Sequence, residues 1–214
     1  PTLSFSVPYD ETDFSVANGA GVINVGHTIT GLIVFRDQLI VFSRNNTQRI
    51  VGSSVSDFQL TPIADDIGCI ASDTIQEVGG DVMFLGPDGL RLLSATERIG
   101  DFGLNVASAP IERDIKRFIS LSQSYSSIVL RSKAQYRIFG YISSDQQKDA
   151  KGYIATKFSD QGAEAINWAE TSGIQAYVAD GRYVPDSEIT VFANDDGYVY
   201  KLEVGSSFDG SSIE

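Results

Sequence analysis

Four segments of this chain repeat one design, and the repetition limits the folds open to it. RDQLIVFSRNNTQRIVG (36–52), GDVMFLGPDGLRLLS (80–94), KAQYRIFGYISSDQQKDAKGYIATKF (133–158) and SEITVFANDDGYVYKLE (187–203) each read as a strand rich in Val, Ile, Phe or Tyr, a polar turn and a second such strand. The turns are Asn45-Asn46, Pro87-Asp88-Gly89, a longer excursion over 143–151, and Asp195-Asp196-Gly197. Asn, Asp and Gly tolerate positive φ, so such short connections bring the chain back antiparallel beside itself. With Phe42, Phe84, Phe139 and Phe192 as equivalent points, the repeat recurs every roughly 40 to 55 residues, the spacing of β-propeller blades and longer than most solenoid coils.

Further strand candidates precede each hairpin: GHTITGLIVF, IGCIASDTIQEVG, SYSSIVLRS and GIQAYVADGRY. One or two added strands per repeat complete a four-stranded blade. The expected fold is therefore all-β and β-propeller-like, with about four hairpin repeats. Residues 1–205 are expected to form the propeller, as an incomplete ring or a fragment, and 206–214 to start a connection to a following domain. Within GDVMFLGPDGLRLLS, Val82 and Phe84, with Leu90 and Leu92 across the turn, are expected to share one apolar face.

One segment breaks the pattern. In APIERDIKRFISLS (109–122), Ile111, Ile115, Phe118 and Ile119 stand at i, i+4, i+7 and i+8, which predicts one short helix near 109–121. Pro110 suits its first turn, Glu112 and Asp114 its positive end, and Lys116 and Arg117 its later part.

Composition removes several function classes. The formal charge is −12, and a surface this acidic repels polyanions, so a stable grip on nucleic acid is not expected. No apolar run reaches the ~20 residues of a membrane span. The one cysteine, Cys69, excludes an internal disulfide and reads as a small buried hydrophobe in IGCIAS. The one histidine, His27, leaves no multi-histidine metal centre, and a Cys/His nucleophilic pair needs Cys69 and His27 to meet. The expectation is no enzyme, no cofactor and no metal.

Acidic clusters stand at Asp10-Glu11-Thr12-Asp13, Asp65-Asp66, Asp186-Ser187-Glu188 and Asn194-Asp195-Asp196-Gly197. The last resembles the start of a calcium loop but has no glutamate at the twelfth position, so turn formation is the favoured reading for all four. Gly79-Gly80 and Gly19-Ala20-Gly21 read as turns, since no Walker lysine follows them. Trp168, the only tryptophan, is the one candidate ligand or partner contact. Its expected role is an anchor packed between blades, with a sugar-stacking platform as the alternative. KFSDQGAEAINWAE (157–170) is faintly similar to the Asp-box hairpin of sialidase-like propellers. It departs from that pattern: Asp160 follows Ser159 directly, and five residues separate Gly162 from Trp168.

Taken in order, DETDFSVANGAG (10–21), GLIVFRDQLIVFSRNNTQRIVG (31–52), IGCIASDTIQEVGGDVMFLGPDGLRLLS (67–94) and SAPIERDI (108–115) resemble the β-propeller of tail proteins from tailed bacteriophages. The nearest type is the tail nozzle, also called tail tubular protein B, with related tail-hub and stabilisation proteins. GSSFDGSSIE (205–214) resembles that family's passage from propeller to platform domain. The resemblance implies a structural component of the virion tail that surrounds the DNA-exit channel as a homo-oligomeric ring. Its partners would be other tail proteins on the adaptor or portal side and fibres or spikes, and DNA would pass without stable binding. It brings no catalytic residue. The alternative is a carbohydrate-binding or glycan-cleaving propeller that recognises a host surface.

Overall fold

A computed structural model describes residues 1–99, 106–142, 150–160, 163–184, 187–204, 207–208 and 211–212. They are mostly β-structure, in two compact units, Pro1–Ile119 and Ser120–Glu214. The first unit holds three sheets: a pair of β1 (Thr2–Phe5) and β2 (Gly21–Asn24); a four-stranded sheet of β3 (Ile29–Phe35), β4 (Gln38–Ser43), β5 (Thr47–Val51) and β6 (Gln59–Ala64); and a three-stranded sheet of β7 (Gln76–Val78), β8 (Asp81–Gly86) and β9 (Gly89–Leu92). Helices α1 (Leu93–Ile99) and α2 (Glu112–Leu121) follow. The second unit has a four-stranded sheet of β10 (Ser124–Leu130), β11 (Gln135–Tyr141), β12 (Lys151–Asp160) and β13 (Ala163–Ser172). Next comes a three-stranded sheet of β14 (Val178–Val184), β15 (Ser187–Ala193) and β16 (Val199–Lys201), then a short pair, β17 (Ser207–Phe208) and β18 (Ser211–Ser212).

In every described sheet the strands pair antiparallel in chain order, so each sheet is a meander. All four expected hairpins form, as β4–β5, β8–β9, β11–β12 and β15–β16. The expected preceding strands are β3, β7, β10 and β14. Most of the long turn over 143–151 lies outside the described residues, as do Gly162 in the Asp-box comparison and Asp186 in the third acidic cluster.

Within the first unit the sheets pack face to face. Strand β4 alternates its burial between two clusters. Ile40 and Phe42 join Val82, Phe84, Leu93 and Cys69 on one side, while Val41 joins Val25 and Ile50, with Leu3 and Ile23 against them, on the other. Strand β4 is thus buried on both faces, which explains why LIVF reads as a continuous apolar run, while Leu32 and Val34 of the neighbouring β3 stay exposed. Phe42 and Phe84 meet across the layers with ring centroids 4.8 Å apart. Each such ring, fully buried, contributes about 2–3 kcal/mol of transfer free energy. Within the second unit, Ile128, Leu130 and Phe139 of the four-stranded sheet pack with Ala176, Leu202 and Phe192 from the chain around β14–β16.

The segment 67–69 lies tight against the first hairpin turn. The Thr47 hydroxyl donates to the Ile67 carbonyl (2.8 Å), and the Cys69 amide donates to the Ser43 carbonyl (2.9 Å). A Cβ on Gly68 would stand 2.1 Å from that same carbonyl oxygen, so only glycine fits. Cys69 is fully buried, as expected, and burial pushes its thiol pKa up.

The structure corrects three sequence readings. The first is the face of β8–β9. Register pairs Phe84 with Arg91, Leu85 with Leu90 and Met83 with Leu92, so Leu90 and Leu92 lie on the face opposite Phe84. The two-residue loop Pro87-Asp88 sets this register, and a one-residue difference in counting moves every side chain to the other face. Arg91 takes the place expected for a leucine. It is 1% exposed, and its guanidinium donates to both oxygens of Asp88 (3.0 and 2.5 Å).

The second correction is α1, a helix not expected from the sequence. The Asp81 carboxylate holds its start, accepting from the Ser94 amide (3.0 Å) and the Ser94 hydroxyl. The third concerns α2. It forms where expected, with Ile115 and Phe118 buried and Glu112 and Asp114 in its first turn, but no basic residue stands in its last turn. Lys116 instead pairs with Glu112 one turn back.

Candidate functional site

A polar cleft lies in the second unit. It has a volume of about 540 Å³ and is lined by Ser132, Tyr183, Glu188 and Glu203 among others. The turn that joins β10 to β11 makes one wall. Leu130 ends β10, residues Arg131–Lys133 form a single 3-10 turn, and Ala134 adopts a left-handed conformation (φ 50°) to re-enter β11. The other wall is the start of β15 and the chain leaving β16, where Glu203 is left-handed too (φ 57°).

Two carboxylates organise the cleft. Glu188 accepts from the amides of Arg131 (2.6 Å) and Ser132 (3.3 Å) and from the Ser132 hydroxyl. Burial raises its pKa, but the Ser132 hydroxyl and the two amides together outweigh burial and hold it below the usual carboxylate range. Glu203 receives Lys133 on one oxygen and Arg137 on the other. Burial again acts upward, and the hydrogen bonds and charges of Lys133 and Arg137 outweigh it. Arg137, 8% exposed, also donates twice to the Gln135 side-chain oxygen Oε1 (3.1 and 2.7 Å), and Gln135 Nε2 donates to the Thr156 hydroxyl (3.2 Å). The network ties one end of β10–β12 to the ends of β15 and β16.

This arrangement is built to clamp. Both carboxylates stay ionised at neutral pH, whereas hydrolysis of a glycosidic bond needs one carboxyl with a raised pKa as general acid. Their acceptor oxygens are engaged by donors of the protein itself.

The sequence candidates fall elsewhere. Trp168 is half-buried on β13, the edge strand of its sheet, where it pairs with Ala155. His27 lies in an exposed turn. Of the acidic clusters, Glu188 is the carboxylate of the cleft, while the first and fourth clusters hold turns. Asp10 accepts from the amide and hydroxyl of Thr12, and Asp13 from the Ser15 amide and Asn18. Asp196 accepts from the Tyr198 amide and the Tyr200 hydroxyl, and Asp195 from the Tyr141 hydroxyl (2.9 Å). Among the described residues no group of three or more His, Cys, Asp or Glu could hold a metal ion. No helix among them is long and apolar enough to cross a membrane.

Sequence reading missed Glu203, Lys133 and Arg137, and named Glu188 only as part of an acidic cluster. Sequence separations of 56 and 66 residues, from Ser132 to Glu188 and from Arg137 to Glu203, hide the pairing. The available signal was an arginine inside an otherwise apolar strand, QYRIFGY, which requires an anionic partner. No protein-family model matches the chain, and no curated protein matches it.

Proposed function

We propose that this chain is a non-enzymatic structural module of β-propeller type that acts by assembly, as a nozzle or hub component of a bacteriophage tail. The observation that carries the structural half is the repeated meander. Consecutive antiparallel sheets pack face to face within each unit, and strand β4 of the first unit's four-stranded sheet packs apolar side chains on both sides, as an inner strand of a blade would. The tail assignment rests on the residue resemblance over 10–21, 31–52, 67–94 and 108–115. An acidic surface suits a duct wall, because DNA passing along it meets no phosphate-binding cations in excess.

The test is genetic. Deletion of the coding sequence from its phage should leave DNA-filled heads with unfinished tails and no plaques, with recovery when the chain is supplied in trans. Infectious particles with complete tails after deletion would overturn the reading.

A second reading has its own observation. Tyr177, Tyr198 and Tyr200 are exposed beside Asp195 and Asp196 in the second unit, and Trp168 sits on an edge strand of the same unit. Aromatic faces beside carboxylates suit sugar binding. A glycan array with hits that Trp168→Ala or Tyr198→Ala abolishes would favour host-surface recognition, and an array without hits would remove it.

A further inference from the structure

The outer face of the β14–β16 sheet carries an apolar surface that the described residues leave exposed. Register fixes its rows. Val178, Ala193 and Val199 stand side by side across the three strands, Asp180, Val191 and Lys201 form the next row, and Arg182 with Ile189 the one after. The opposite face is the packed one: Phe192 and Ala179 lie against Ile128, Leu130 and Phe139. On the outer face Val178 is 50% exposed, Val199 71% and Ile189 40%. An open sheet face with such a centre calls for a second sheet.

The charges on this face are arranged for a second copy of itself. Asp180 and Lys201 flank Val191 in one row on the two outer strands, about 10 Å apart and so too distant to pair within the sheet. A two-fold axis parallel to β15, midway between two facing sheets, lays β14 of each copy over β16 of the other and keeps the rows in step. Asp180 then faces Lys201 of the second copy, twice over. Val178 faces Val199, and Ile189, Val191 and Ala193 face themselves along the axis.

We propose that two copies of this chain pair face to face through the β14–β16 sheet, with Asp180 and Lys201 as reciprocal ion pairs around a Val/Ile centre. This inference stands apart from the tail reading, since it uses only the register and exposure of one sheet. The face measures about 14 Å by 23 Å, roughly 320 Å² on each copy and below the size of stable specific interfaces, so the dimer is weak and transient. The charge of −12 on each chain opposes it, and physiological salt screens that repulsion.

Sedimentation equilibrium of the full chain at ~0.15 M salt, from about 10 µM to about 1 mM, should show a monomer–dimer equilibrium. Asp180→Lys alone and Lys201→Asp alone each oppose like charges at both contacts and should weaken association at least ~10-fold. The double exchange, Asp180→Lys with Lys201→Asp, should restore it to within ~3-fold of the original. Val191→Asp, which sets two carboxylates on the axis, should abolish it. Far-UV circular dichroism confirms that each variant is folded, and the two charge variants and their combination decide the matter even where Val191→Asp does not fold. A chain that stays monomeric to about 1 mM, a dimer indifferent to the single exchanges, or a double exchange that fails to restore pairing each overturns the proposal.

Discussion

Gly89 and Asp88 show how much one turn can settle. Gly89 has φ 149°, and a Cβ there would lie 2.5 Å from the Ser108 hydroxyl oxygen and 2.8 Å from a Val106 methyl. Ser108 is itself fixed, since it is fully buried and accepts the Leu90 amide. Gly89→Val should therefore lower stability by about 2 kcal/mol or more, read as a lower urea midpoint. An unchanged midpoint would mean that Ser108 and Val106 move aside freely. The turn itself was legible in Pro87-Asp88-Gly89. What was not legible is that Asp88 reaches back to a buried Arg91, because the face of Arg91 depends on whether the loop has two residues or three.

Glu203 gives a pH signature at the same scale. Its folded pKa lies below its ordinary value, so it binds fewer protons folded than unfolded. Its contribution is therefore present above about pH 4.5 and lost as pH falls through the folded pKa. Thermal unfolding between about pH 7 and pH 3 should fall more steeply for the wild type than for Glu203→Gln, which should be the less stable protein at neutral pH. Parallel curves would place the Lys133 and Arg137 contacts among those that contribute nothing.

At the scale of elements, most strands were readable because β-branched and aromatic runs are bounded by Asn, Asp and Gly turns, and α2 because its apolar residues recur at helical spacing. Helix α1 was not readable for a physical reason. Its cap is Asp81, thirteen residues upstream on a different strand, so no local start signal precedes Leu93. Asp81→Ala should unseat the Ser94 amide and hydroxyl together and cost about 1–2 kcal/mol. Hydrogen exchange should show the loss concentrated at the start of α1. Protection unchanged there would show that packing of Leu93 in the core, and not the cap, starts the helix.

At the scale of the molecule, the sequence conveyed the repeated meander and its turn chemistry, while the cleft of Glu188 and Glu203 stayed hidden because it is assembled from turns distant in sequence. Two regularities of the described residues, sheets packed face to face within each unit and carboxylates held by turns and clamps, are the features on which the proposed structural role draws. The measurement that tests the proposed tail role most directly is electron microscopy of intact phage particles labelled with an antibody to the chain. Label at the tail, around the DNA-exit channel and in a fixed number of copies per particle, is the expected result. Particles without label, with the chain found only free in the lysate, would contradict the account.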